Sequence, residues 1–176
     1  IRPFSQNGKL FVNLSTEILN GEVYYTTDGT EPTLTSNKYS APVEINSTGL
    51  LKASTMQNGR IMGVQAARQS FAMHKGIGKN VIYANPVSRY YMADGSNSLT
   101  DGVRGTGTVG KFWHGFSGKD LIATIDLEEA KNIQSLALGC LQNYNDWIFL
   151  PQSVKFETSV NGTDFEEVQT VNNLIS

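Results

Sequence analysis

Apolar and polar positions alternate along most of the chain, or form short apolar runs, and apolar spacing of helical period is rare. Gly, Asn, Asp, Ser and Pro bound these segments, as they bound strands in all-β proteins. Leu50–Met56 and Ser153–Thr158 alternate as antiparallel strands with one buried face do. The pattern predicts an all-β chain with strands at Leu10–Leu14, Glu22–Thr26, Val43–Ile45, Gly49–Met56, Val64–Phe71, Ala123–Leu127, Ile133–Leu141 and Ser153–Ser159.

One segment between these predicted strands, AMHKGIGKN at residues 72–80, is short, basic and contains glycine. This composition is typical of a linker and predicts a domain boundary near residue 77. The two domains, residues 1–76 and 77–176, are each predicted to be a small β-sandwich whose sheets face each other across a shared core.

Two dipeptides, Asp28-Gly29 and Asn161-Gly162, predict turns that follow strands. Both tolerate positive φ, so the chain is expected to double back at each of them. Asp28 and Glu31 also place two carboxylates beside a glycine. At a turn, however, Asp28 is expected to bond the backbone two residues further on and Glu31 to be solvated. We therefore interpret this stretch as turn chemistry and not as a catalytic acid pair.

Composition narrows the range of partners. The 176 residues carry a formal net charge of -2, so no nucleic-acid partner is indicated. No apolar run approaches the roughly 18 residues of a membrane span. The chain starts at Ile1 without an initiator Met, and we expect a monomeric piece of a longer protein whose targeting segment lies elsewhere. Cys140, beside Leu and Gly, is expected to be a small buried apolar residue.

Residues Gly105–Lys111, GTGTVGK, match the spacings G-x-G-x-x-G and G-x-x-x-x-G-K of nucleotide-binding loops. A phosphate loop needs Ser or Thr after the lysine to hold magnesium, and Phe112 stands there instead. Both motifs also require a strand before the glycines and a helix after them. The flanking residues predict neither element, so nucleotide binding is not expected.

Other catalytic patterns fall short. His74 and His114 lie in different halves and form no zinc-site spacing. Gly115–Gly118 does not complete the nucleophile elbow G-x-S-x-G. The adjacent pairs Glu128-Glu129 and Glu166-Glu167 would point to opposite faces of an extended chain, so neither aims two carboxylates at one bond. We predict no catalytic apparatus in this chain.

Three motifs in the first half share the spacing of one family. They are Y-T-x-D-G-x-x-P, S-x-x-Y-x-x-P and x-K-A, found here as Tyr25–Pro32, Ser36–Pro42 and Leu51–Ala53. This half resembles the chitobiase/β-hexosaminidase C-terminal domain. The resemblance implies an immunoglobulin-like β-sandwich without catalytic residues, which accompanies the catalytic barrel of secreted β-N-acetylhexosaminidases.

The second half carries a different set of motifs, namely Leu99–Gly102, Trp113–Leu121, Thr124–Leu127, Asp146–Pro151 and Thr158–Phe165. It resembles the discoidin, or coagulation factor type C, domain, which includes the family 32 carbohydrate-binding modules. The resemblance implies a galactose-binding-like jelly roll. Such a domain continues for several strands beyond this point, so the closing strands and a late calcium-ligand glutamate are expected to be missing from a truncated copy.

The discoidin resemblance implies two sites. A structural calcium would be held by Asp101, with oxygens around Asp94 and Ser96, because calcium prefers oxygen ligands. An Asp-Gly turn without metal is the alternative reading of Asp101. A sugar-binding platform would use loop aromatics and nearby polar groups, at Trp147, Tyr144, Asn143, Arg104 and His114. For Trp147, packing in a core or between domains remains the alternative to ligand contact, whereas Trp113 is expected to pack beneath the sheet.

Together these features predict a non-catalytic accessory region of a secreted, periplasmic or cell-surface glycoside hydrolase, a β-N-acetylhexosaminidase by resemblance. Its partners would be a glycan and the catalytic domain of the same polypeptide. Two alternatives remain open: both domains serve as structural spacers beside the catalytic domain, or the chain is a cell-surface adhesion module.

Overall fold

The computed structural model describes residues 1–110 and 112–174. Within them the chain forms strands and one short 3-10 turn and no α-helix, which confirms the all-β class. No helix in this described part has the length and apolar character needed to cross a membrane. The strands are β1 (Arg2–Gln6), β2 (Lys9–Asn13), β3 (Glu22–Thr26), β4 (Asn37–Lys38), β5 (Val43–Ile45), β6 (Gly49–Gln57), β7 (Arg60–Phe71), β8 (Val81–Tyr83), β9 (Ala123–Ile125), β10 (Ser153–Thr158) and β11 (Glu166–Asn172).

The chain divides into two compact units, which are described separately. The first unit comprises residues 1–81 together with 94–104, and the second comprises residues 82–93 together with those from 105 onward. The single boundary after residue 76 stays a prediction, because compactness within one chain does not show which parts fold independently.

The first unit is a sandwich of two antiparallel sheets, with strand orders β1-β2-β5 and β4-β3-β6-β7. Alternation in β2 directs Leu10 and Val12 inward, and alternation in β6 directs Leu51 and Ala53 inward. These side chains join one buried cluster with Phe71 and others from both sheets. Burial of this apolar surface is the main force that holds the two sheets together.

The segment 94–104 completes the first unit. Ala72 N donates to Gly102 O at 2.8 Å, and the buried Thr100 donates from Oγ1 to Lys79 O at 2.6 Å. Gly102 has a φ of +73°, and a Cβ placed on it would lie 2.6 Å from Ile77 Cδ1 and 2.9 Å from Leu10 Cδ2. Only glycine fits this position without displacing the core, so the L-T-D-G motif is a structural part of the first unit.

Strand β7 is the last strand of its sheet and carries a large bulge. Ala53 of β6 pairs with Ala67, whereas Thr55 pairs with Met62, so residues 63–66 stand opposite a single β6 residue. Val64, in the bulge, is fully exposed. At the far end of β7, Phe71 forms an antiparallel bridge with Val103 on the outer side.

The turn at Asp28 is confirmed, but the hairpin is wider than a two-residue turn. Asp28 Oδ1 accepts from Thr30 N at 3.0 Å and from Thr30 Oγ1 at 2.6 Å, and Gly29 has a φ of +82°. These hydrogen bonds lower the pKa of the Asp28 carboxyl. The exposed Glu31 is not only solvated, because its carboxylate also pairs with Lys52. The chain then returns through β4, which pairs with β3.

The second unit contains a β8-β9 pair and a β10-β11 hairpin. The predicted turn at Asn161-Gly162 is confirmed: Asn161 Oδ1 accepts from Thr163 N at 3.0 Å and from Asp164 N at 2.9 Å, and Gly162 has a φ of +74°. No apolar side chain is fully buried in the described residues of this unit. Its sheets are therefore less well covered than those of the first unit.

Two predictions about the second unit are wrong. Ile133–Leu141 forms no strand, and none of the described strands pairs with this segment. An apolar run forms a strand only when a neighbouring strand satisfies its backbone N–H and C=O groups. Cys140 lies in this run and is exposed, not buried. Strands β1, β4, β8 and β11 were not predicted.

Candidate functional site

One polar loop of the second unit, Gln142–Phe149, contains a closed turn and three aromatic residues and is here called the aromatic loop. Asn143 and Ile148 close it by exchanging two backbone hydrogen bonds, each with an N to O distance of 2.9 Å. One 3-10 turn, Tyr144–Asp146, lies between them. This closure constrains the backbone from which the side chains of the turn project.

Asn143 shapes this turn from within. Its Oδ1 accepts from Asn145 N at 3.1 Å, which caps the turn, and its Nδ2 donates to Asp146 Oδ2 at 2.7 Å. Asn143 was predicted as a sugar contact. Because the amide oxygen and the amide nitrogen of Asn143 both form hydrogen bonds inside the loop, its structural role is to stabilise the turn that carries the aromatic residues.

Trp147 ends the turn in a left-handed conformation, with φ 57° and ψ 36°. For a bulky residue this conformation costs about 1 to 2 kcal/mol relative to the right-handed region. The side chain does not regain that cost by burial, because it is 81% exposed. The sequence left two interpretations of Trp147, namely ligand contact and packing in a core or between domains. Packing in the core of its own unit is therefore excluded. An exposed tryptophan held in this conformation marks the loop as a candidate site.

Three aromatic side chains of the loop form a cluster. The Phe149 ring lies 5.9 Å from Tyr144 and 6.5 Å from Trp147, at interplanar angles of 63° and 80°. Tyr144 and Phe149 are each 58% exposed. Gln142 Nε2 donates to the Tyr144 hydroxyl at 2.7 Å. The result is an exposed aromatic surface bordered by polar groups.

Arg104 and His114 are not part of this cluster. Arg104 ends the segment that belongs to the first unit, and its side chain is exposed. His114 Nε2 lies 3.1 Å from Met92 O, and its Nδ1 lies 2.9 Å from the Tyr83 hydroxyl. Because a carbonyl only accepts, Nε2 carries a hydrogen and donates to Met92 O, while Nδ1 and the Tyr83 hydroxyl share the second hydrogen bond. His114 thus joins two segments of the second unit, and sugar contact by either residue stays a prediction.

Trp113 and Gly105 explain the glycine-rich stretch that matches nucleotide-binding spacings. The half-buried Trp113 donates from Nε1 to Thr106 O at 2.9 Å. A Cβ on Gly105 would lie 2.5 Å from the Trp113 ring, so the glycine makes room for the indole. Lys111 of the G-x-x-x-x-G-K spacing lies outside the described residues. Trp113 thus packs against this glycine-rich stretch and is only half-buried, and its expected place beneath the sheet stays a prediction.

The predicted calcium residues lie in the first unit. Asp101 is half-buried, and its Oδ1 accepts from Val103 N at 2.7 Å, which is the Asp-Gly turn expected without metal. Burial raises the pKa of the Asp101 carboxyl to about 6, and the nearby charge of Asp94 adds to this rise. Asp94 and Ser96 are exposed. Among residues 1–110 and 112–174, no group of three His, Cys, Asp or Glu side chains could hold a metal. A calcium ion here would need backbone carbonyls and water as further ligands.

One family model matches part of the chain. Residues 12–66, from β2 into β7, match the Fn3 associated family, a β-sandwich domain found with glycoside hydrolases. The match covers most of the first sandwich and less than half of the 176 residues. No curated protein matches the chain.

Proposed function

We propose that this chain is a non-catalytic accessory region of a secreted or cell-envelope glycoside hydrolase, and that its second unit binds glycan through the aromatic loop. The observation that supports this proposal most directly is the exposed, strained Trp147 beside Tyr144 and Phe149. The match of residues 12–66 to a domain that accompanies glycoside hydrolases supports the enzymatic context.

The aromatic loop has the chemistry that sugar binding requires. The C–H faces of a pyranose ring are apolar and pack on an aromatic face, while its hydroxyls need hydrogen-bonding groups at the border. Trp147 offers an uncovered ring, and Tyr144 and Gln142 offer polar groups beside it. A loop closed by paired backbone hydrogen bonds presents these groups with little loss of entropy on binding.

The parent enzyme is proposed to be a β-N-acetylhexosaminidase, on the basis of the motifs in Tyr25–Pro32 and Ser36–Pro42. Its catalytic residues would lie elsewhere in the same polypeptide. Glycan binding by the second unit would then keep the catalytic domain at a high effective concentration of substrate. The exposure of Trp147 favours this role over that of a pure spacer, since a spacer has no need of a strained aromatic residue in solvent.

Replacing Trp147 tests the sugar role. Trp147→Asn is the informative variant, because asparagine tolerates the left-handed conformation better than most residues and so relieves strain. We expect the free energy of unfolding to stay unchanged or to rise by up to about 1 kcal/mol. Retention in affinity electrophoresis through immobilised neutral glycans is expected to be lost.

The matched control is Tyr90→Ala, which removes an exposed aromatic side chain of the same unit outside the loop. It should leave retention unchanged. Equal retention of the wild type and the Trp147 variant on every glycan that the wild type binds would exclude the aromatic loop as the site. Absence of retention for the wild type on a broad glycan panel would instead favour the spacer role, and specific capture of a protein ligand would favour the adhesion module.

Calcium binding near Asp101 is a second proposal, supported by a half-buried carboxylate that lies close enough to Asp94 for their charges to interact. A cation would offset both charges, and Asp94, Ser96 and Asp101 all carry side-chain oxygens, the ligands that calcium prefers. In this position calcium would stabilise the first unit and take no part in catalysis.

A further inference from the structure

We propose that the aromatic loop selects neutral glycans and discriminates against uronic-acid and sulfated glycans. This inference rests on the proposed glycan-binding function and specifies its ligand class. The observations behind it are the absence of basic residues from the sequence that forms the cluster of Tyr144, Trp147 and Phe149, and the exposed Asp146 within that sequence.

The sequence around the loop is almost free of charge. From residue 132 to residue 154 there is no Lys, Arg or His, and the one charged side chain is Asp146. Recognition of a sugar carboxylate or sulfate relies on Arg or Lys, which fork to its oxygens. The stretch that presents the aromatic rings supplies no such group.

Besides the absence of basic residues, the loop carries one negative charge, that of Asp146, which would repel an anionic sugar. It is exposed and directly precedes Trp147, so its charge lies within roughly one Debye length, about 10 Å, of the ring on which a sugar would stack. Its described side-chain partner, Asn143 Nδ2 at 2.7 Å, is a neutral amide and leaves the negative charge uncompensated. An anionic sugar seated on Trp147 would therefore be opposed by a like charge across a short distance.

The same groups suit neutral hydroxyls. The Tyr144 oxygen accepts from Gln142, which leaves the phenolic hydrogen free to donate to a sugar oxygen. The Asp146 carboxylate offers a strong acceptor for a sugar hydroxyl, and charge-assisted hydrogen bonds of this kind are stronger than neutral ones. A donor and an acceptor beside an aromatic face match a neutral pyranose with adjacent hydroxyls.

Paired polymers test the inference on the whole chain: chitin oligosaccharides against hyaluronan oligosaccharides, and galactan against polygalacturonate, at low and at high salt. We expect the neutral member of a pair to bind, and the anionic member to bind about three- to tenfold more weakly at low salt. The difference should shrink at high salt, because exposed charges are screened.

The decisive variant is Asp146→Asn, whose amide oxygen can still accept from Asn143. It should weaken neutral binding, which loses a charge-assisted hydrogen bond, and weaken anionic binding less or strengthen it, so that the discrimination against the anionic member falls by about threefold or more. Anionic binding equal to or tighter than neutral binding, with loss on Trp147→Asn, would overturn neutral selectivity and leave the proposed function standing. An unchanged neutral-to-anionic ratio in Asp146→Asn would also overturn it. Failure of both members of every pair to bind would overturn the proposed function and the inference together.

Discussion

Replacing Asp101 with asparagine should change how the stability of the first unit depends on pH. Burial raises the pKa of this carboxyl from its ordinary value of 3.8 to about 6. Between these two values the folded chain binds more protons than the unfolded chain, so the free energy of unfolding falls as pH rises. The stabilisation from Asp101 is complete below about pH 4 and is lost as pH rises through about 6.

The size of the stability change follows from the rise in the pKa of Asp101. At about 1.36 kcal/mol per pKa unit, a shift of about two units corresponds to an upper limit near 3 kcal/mol. Asp101 is only half-buried, and screening by solvent reduces this to about 1 to 2 kcal/mol. Asparagine keeps an oxygen for the Val103 N–H and carries no charge. We therefore expect Asp101→Asn to match the wild type near pH 4 and to exceed its stability by about 1 to 2 kcal/mol at pH 7.

Urea unfolding at a series of pH values, with a chelator present, measures this difference. Both tryptophans, Trp113 and Trp147, lie in the second unit, so tryptophan fluorescence follows that unit alone, and the first unit is followed through the part of the circular dichroism transition that the tryptophan signal does not share. Asp28→Asn is the control within the first unit, because Asp28 Oδ1 also accepts from a backbone N–H, that of Thr30 at 3.0 Å, but the residue is exposed and its pKa is lowered, so this variant should gain no stability between pH 4 and pH 7. Wild-type and Asp101→Asn curves that run parallel from pH 4 to pH 7 would refute the reasoning.

Two further predictions concern the same segment. Gly102→Ala should destabilise the first unit by about 2 to 4 kcal/mol in urea unfolding, because the left-handed backbone and the clash with Ile77 and Leu10 both oppose a Cβ. Gly8→Ala, with a φ of +71° and open space around it, should cost only about 1 to 2 kcal/mol, and equal losses at both sites would contradict the clash. If calcium binds at Asp101, a concentration of ten times its dissociation constant should stabilise the wild type by about 1.4 kcal/mol at pH 7. Asp101→Asn should abolish this gain in a thermal shift assay, and a wild type that does not respond to calcium would remove the metal proposal.

Strands with clear alternation and good boundaries could be predicted from sequence. The predicted bounds of β3 and β5 agree with the structure, and β6 differs by one residue. Their apolar residues point into a core that both sheets share, so local pattern and tertiary packing agree. Strands with weak patterns were missed: β1 contains Pro3, and β11 begins with two glutamates. Pairing with a neighbour makes these segments strands, and pairing is not visible in the local pattern.

The candidate site was predicted in part. The polar loop with Tyr144 and Trp147 was identified, but Phe149 was missed because it follows Ile148 in an apolar run that looks like core. Trp147 and Phe149 are two residues apart, and in an extended chain such residues share a face, which is a signal that could have found it. The left-handed conformation of Trp147 could not be predicted, because bulky residues rarely adopt it and the closure of the loop imposes it.

The bulge in β7 affects the tendency of this protein to aggregate at high local concentration. An uninterrupted outer strand would offer a row of backbone groups on which a second chain could add a strand and start a fibril. Here residues 63–66 break that row, and the bridge from Phe71 to Val103 occupies its far end. Only short lengths of regular edge remain on either side of the bulge, too short to template ordered stacking. Many copies can therefore be crowded together without edge-to-edge aggregation through this strand.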